Sequence, residues 1–79
     1  MNKTSDNDRI FGHAVVKRSV TLNGHRTSIS LEEPFWLHLH DIATSQNRSV
    51  NNLISEIDEL RGETGLSSAL RLYVLHKLT

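Results

Sequence analysis

Seventy-nine residues make at most one domain, and with no cysteine that domain can rely on neither disulfides nor thiolate-bound metal. A chain of this size buries only about 60–65% of its unfolded surface, so a second copy is the expected source of extra core. The formal net charge of +0 excludes a protein that holds nucleic acid by bulk charge alone.

The charge is nevertheless uneven. Residues 1–31 place Lys3, Arg9, Lys17, Arg18 and Arg26 against Asp6 and Asp8. Residues 32–66 set only Arg48 and Arg61 against Glu32, Glu33, Asp41, Glu56, Asp58, Glu59 and Glu63. A basic first third points to a positive face that the neutral total hides. No stretch reaches the ~18–20 apolar residues of a membrane span. Met1 to Arg9 is polar and lacks the apolar core of a signal peptide. We expect a cytoplasmic protein with no membrane partner.

Residues 1–12 have the composition of a flexible tail, and residues 13–79 form the expected domain. Val15 to Leu22 and His25 to Leu31 are rich in β-branched residues, serine and threonine, which marks two strands. Asn23-Gly24 between them suits a two-residue turn with positive φ at both positions. With that turn Leu22 faces His25, Val20 faces Thr27 and Arg18 faces Ile29. One face then carries Val16, Val20, Leu22, Thr27, Ile29 and Leu31, with Arg18 and His25 among them. The other carries Lys17, Ser19, Thr21, Arg26, Ser28 and Ser30. Such alternation fits a sheet with one dry and one wet face. The sequence leaves open whether the first strand pairs this way or twists aside.

A helix is expected over about 32–46. Ser30 and Glu33 have capping-box spacing, Pro34 falls in the first turn, and Phe35, Leu39, Ile42 and Ala43 make its apolar stripe. Trp36, beside that stripe, reads as a core or dimer-interface aromatic. Asn47 is a candidate left-handed residue at the helix end. Ser49 has the character of an N-cap for a second helix with stripe Val50, Leu53, Ile54, Ile57 and Leu60, ended by Gly62. A third helix from about Ser67 to Leu78 is apolar almost all round, and a helix of that kind wants burial on more than one side.

Strand, helix, short turn and helix, with Arg48-Ser49-Val50-Asn51 at the turn, resemble the ribbon-helix-helix family, whose members include the Arc and MetJ repressors. The likeness covers about Arg26 to Leu60. From Lys17 to Leu75 the chain also resembles small bacterial proteins assigned to that fold. The resemblance implies a mainly α fold with a short β-ribbon, here with an extra N-terminal strand and an extra C-terminal helix. It implies an intertwined homodimer, or a higher oligomer, whose intermolecular ribbon enters the major groove of double-stranded DNA. The base-contacting residues would be Arg26, Ser28 and Ser30. The phosphate contacts would be Lys17, Arg48, Ser49, Val50 and Asn51. The dimer core would hold Ile29, Leu31, Leu39, Ile42, Leu53, Ile54 and Ile57. Function follows as sequence-specific DNA binding by a transcriptional repressor. The rival is a protein-interaction module, antitoxin-like, that uses the N-terminal tail or the third helix.

Other chemistry has little footing. The sequence offers no Ser-His-Asp or Cys-His arrangement and no glycine-rich phosphate loop, so no enzyme is expected. His38 and His40 lie two apart on a helix and point about 200° apart. With neither holding an i, i+4 partner, His13, His25, His38, His40 and His76 read as surface residues, with no metal and no cofactor.

Overall fold

The computed structural model describes residues 11–79. Two strands, β1 (Val15–Leu22) and β2 (His25–Glu32), precede three helices, α1 (Glu33–Ser45), α2 (Val50–Leu60) and α3 (Leu66–Leu78). The strands form one antiparallel hairpin, with Leu22 opposite His25, Val20 opposite Thr27, Arg18 opposite Ile29 and Val16 opposite Leu31. Asn23 (φ 51°) and Gly24 (φ 79°) make the turn. Positive φ at both central positions gives the turn a twist that matches the strands. The first strand therefore pairs within its own chain.

Each helix starts and stops for a local reason, with one departure from expectation. Ser49 caps α2, its hydroxyl accepting from the Asn52 N–H at 3.0 Å. Asn47 (φ 55°) and Gly62 (φ 60°) take the left-handed conformations that let the chain leave α1 and α2. The Ser30–Glu33 capping box does not form. β2 runs on to Glu32, which becomes the residue before α1, and no side chain caps that helix. Ser30 stays in the strand, where its carbonyl accepts from the Ser67 hydroxyl at 3.3 Å.

The inner face of the hairpin lies on the helices. Val20, Leu22, Ile29 and Leu31 from the sheet meet Trp36, Leu39 and Ala43 of α1, Leu53, Ile54 and Ile57 of α2, and Ala69, Leu70 and Val74 of α3. Trp36 goes fully inside while Phe35 is half-buried. The Trp36 indole N–H donates to the Val16 carbonyl at 2.9 Å, and the Arg18 guanidinium covers the ring 5.4 Å from its centre. A buried indole needs such a partner, and here the first strand supplies it.

Six of the seven residues expected in a dimer core are already buried within one chain. Ile29, Leu31, Leu39, Leu53, Ile54 and Ile57 are each under 5% exposed. Ile42 is half-buried. The hairpin and the three helices of one chain together cover these side chains. α3 is different: Ala69, Leu70 and Val74 face the core, while Leu72, Leu75 and Leu78 are each more than half exposed. No described helix is long and apolar enough to cross a membrane. Residues 1–10 of the expected tail lie outside the described residues.

Candidate nucleic-acid interface

Alternation along the hairpin gathers six short or cationic polar side chains on its outer face. The register sets Lys17 beside Ser30, Ser19 beside Ser28 and Thr21 beside Arg26. All six are exposed. Among the described residues neither Lys17 nor Arg26 takes part in an ion pair. The acid at the end of this face, Glu32, is neutralised. Arg71 of α3 holds it with a fork of 2.9 and 3.3 Å, and that hydrogen bond lowers the Glu32 pKa. The open part of the face is thus positive, although the chain as a whole is neutral.

The edges of the hairpin follow from the same register. In a two-residue hairpin the residues flanking the turn exchange both backbone bonds, and the next pair turns its N–H and C=O groups outward. Thr21 and Arg26 are that next pair. On the β1 side, the outward groups of Thr21 are taken by one side chain. Asn51 Nδ2 donates to the Thr21 carbonyl at 2.8 Å, and Asn51 Oδ1 accepts from the Thr21 N–H at 3.0 Å. On the β2 side, the outward groups of Arg26 and Ser28 meet no partner among the described residues. The β2 edge is therefore open at Arg26 and Ser28, whereas the Ser30 carbonyl is already taken by the Ser67 hydroxyl of α3.

Asn51 also fixes where α2 begins relative to the sheet. The first turn of α2 abuts β1, so Ser49, Val50 and Asn51 sit beside the polar face. Their side chains are largely committed. The Ser49 hydroxyl caps the helix, and the Asn51 amide holds Thr21. Arg48 donates to Gln46 Oε1 at 2.9 Å and to Asn52 Oδ1 at 3.3 Å, and it pairs with Glu56. What remains for an anion is backbone: the first N–H groups of α2 and the positive end of its dipole. Asn51 as a clamp on the hairpin leaves no trace in the sequence, since its partner lies 30 residues away.

The histidines do not converge. Among the described residues, no three of His, Cys, Asp or Glu are placed to hold a metal ion.

Residues 15–78 match the ribbon-helix-helix domain family, and the chain belongs to that family. It is similar to the solved structure of an uncharacterized protein from Bordetella pertussis Tohama I, with 35% identity and a TM-score of 0.75. That alignment covers 91% of this chain and 66% of the other, so the present chain spans just under two thirds of that protein. No curated protein matches. Domains of this family are typically DNA-binding regulatory modules that dimerise, rather than enzymes.

Proposed function

We propose that the chain is a sequence-specific DNA-binding repressor that works as a homodimer in the cytoplasm. In this reading β2 of one copy pairs antiparallel with β2 of another through its open edge. The observation that carries the reading is the conjunction on β2. The strand whose backbone lacks an edge partner at Arg26 and Ser28 also points Arg26, Ser28 and Ser30 away from the core.

The extra strand widens the ribbon. Pairing through β2 gives the order β1-β2-β2-β1, and four strands spaced ~4.8 Å apart span roughly 14 Å. The major groove is only about 12 Å wide. The two β2 strands then lie in the groove, with each β1 over a groove wall. Arg26 reads a guanine edge with its forked donors, and the two serines add less selective bonds. Lys17, on β1, meets the phosphates of the wall. The first N–H groups of α2, at Val50 and Asn51, hold a further phosphate, with Ser49 fixing that turn.

Titration of labelled protein with a DNA duplex, followed by amide chemical shifts, tests the assignment. Shifts concentrated at Arg26, Ser28, Ser30, Lys17 and Val50 support it. Shifts confined to α3 contradict it. The rival protein-interaction reading is favoured by one observation, the apolar outer side of α3.

A further inference from the structure

The two edges of the hairpin are closed at opposite ends. On β1, Asn51 takes the outward groups of Thr21 near the tip. On β2 the closure comes at the far end, from α3. The Ser67 hydroxyl donates to the outward Ser30 carbonyl at 3.3 Å. One turn further along the same face of α3, Arg71 reaches the Glu32 carboxylate with a fork of 2.9 and 3.3 Å. Its guanidinium lies 5.8 Å from the centre of the Phe35 ring. The start of α3 therefore stands where a strand added beyond Ser28 would run. Between this block and the turn at Asn23-Gly24, Arg26 and Ser28 keep outward N–H and C=O groups that meet no partner among the described residues.

That stretch fits one register of a second β2. Antiparallel strands exchange both backbone bonds at alternate pairs. Arg26 set opposite Ser28 of the second copy, and Ser28 opposite its Arg26, uses the outward groups of both residues on both chains. The two-fold axis then passes between the two Thr27 residues, whose half-buried side chains face each other under the sheet. Opposite Ser30, where α3 already stands, the second copy turns away at its Gly24 (φ 79°). Sliding one strand by two residues toward the tip sets Arg26 opposite Arg26, a destabilising like-charge pair, and brings the turn into the ladder. Sliding it the other way sets Ser28 opposite Ser28 and asks Ser30 for bonds where Ser67 already sits.

We infer that the start of α3, through Ser67 and Arg71, limits the ladder between two copies to Arg26 and Ser28 and so fixes its register at Arg26 opposite Ser28. This limit rests on the β2 pairing proposed above and adds what ends it. It also bears on the DNA read. In this register the two Arg26 positions are diagonal neighbours, about 7–8 Å apart, and reach base pairs close together. A ladder running on to Glu32 would carry them roughly 20 Å apart along the strands. Ser67 and Arg71 touch no DNA in this arrangement, yet they set the spacing of the two reading arginines.

Disulfide trapping tests this, since the chain has no cysteine of its own. Full-length Thr27→Cys and Ser28→Cys are oxidised mildly, and the linked dimer is followed by non-reducing electrophoresis. Circular dichroism confirms that each variant keeps its helices. In the inferred register the two positions 27 face each other with about 4.5 Å between Cα atoms, whereas the two positions 28 are diagonal, about 7–8 Å apart and beyond easy bridging. Thr27→Cys is expected to link about tenfold faster than Ser28→Cys. Adding Ser67→Ala and Arg71→Met frees Ser30 for a longer ladder and is expected to reverse that order. Faster linking at Ser28→Cys with α3 intact overturns the register and leaves β2 pairing standing. The same order of rates with and without the α3 substitutions overturns the limiting role of α3. Linking at neither position, whether the parent sediments as a dimer or as a single chain, overturns β2 pairing itself and this inference with it.

Discussion

The side-chain amide of Asn51 replaces a missing strand for Thr21: it donates to that residue's carbonyl at 2.8 Å and accepts from its N–H at 3.0 Å. An edge strand normally leaves such groups to water or to another chain. Here the first turn of α2 closes the β1 edge near the hairpin tip. The contact also ties the sheet face to the helix start that holds phosphate in the proposed complex. Asn51→Ala is expected to cost about 1 kcal/mol, the net worth of hydrogen bonds that water can partly replace. Urea unfolding reads this as a lower midpoint, and hydrogen exchange reads it as faster exchange at Thr21. An unchanged midpoint together with unchanged exchange would show that the clamp is decorative.

Trp36 is 1% exposed and joins α1 to β1 through the Val16 carbonyl. Truncating a side chain of that size in a packed core costs about 3–5 kcal/mol. A domain of this length has little more than that to lose. Trp36→Ala is therefore expected to be largely unfolded at room temperature by circular dichroism. A variant with the parent's unfolding midpoint contradicts the packing described. Trp36 is also the chain's single tryptophan, so its emission in the parent reports the opening of the hairpin from the helices.

Arg71 and Glu32 predict a pH dependence. The Arg71 hydrogen bond lowers the Glu32 pKa in the folded chain below its ordinary value. A depressed carboxylate pKa contributes stability above the unfolded pKa, and that stability is lost as pH falls through the folded value. Both side chains are more than a third exposed, so the effect is modest and screened by salt. Arg71→Met keeps an unbranched stem near Phe35 and removes the charge. The stability gap between parent and Arg71→Met should be widest near neutral pH and should close below the carboxylate range. A gap that stays constant across that range removes the ion pair from the account.

Much of the fold was legible because its signals are local. Asn23-Gly24 marks a turn through backbone conformation, and Ser49 and Gly62 mark helix ends in the same way. Alternation from Lys17 to Leu31 set the two faces of the hairpin correctly. Competition between elements was harder to read. Ser30 and Glu33 have the spacing of a cap, yet β2 claims Ser30 and runs to Glu32. Phe35 fits the stripe by period, but Trp36 takes the central place because its N–H finds Val16, 20 residues earlier. The pairs Asn51–Thr21 and Arg71–Glu32 join positions 30 and 39 residues apart, and no local pattern announces them. Ile29, Leu31 and Ile54 read as core from their periodicity and are buried; small size suggests a second copy as part of the cover, and how much one chain's hairpin and helices already supply cannot be read from local pattern.

The outer face yields separable predictions for DNA. Arg26→Ala is expected to lose about 1–3 kcal/mol of discrimination, up to roughly a hundredfold in preference for the specific duplex. Lys17→Ala should weaken all duplexes alike and reduce the slope of log affinity against log salt by about one per chain. A variant of Arg26 with the parent's sequence preference, or a Lys17 variant with the parent's salt slope, reassigns that residue to plain solvation.

The most direct measurement is fluorescence anisotropy with DNA from the gene's own upstream region and a scrambled duplex of equal length, each at two salt concentrations. The account predicts tighter binding to the upstream duplex, falling steeply with salt. Equal weak binding to both duplexes, or none, would contradict a DNA-reading role and leave the α3 face as the molecule's main binding surface.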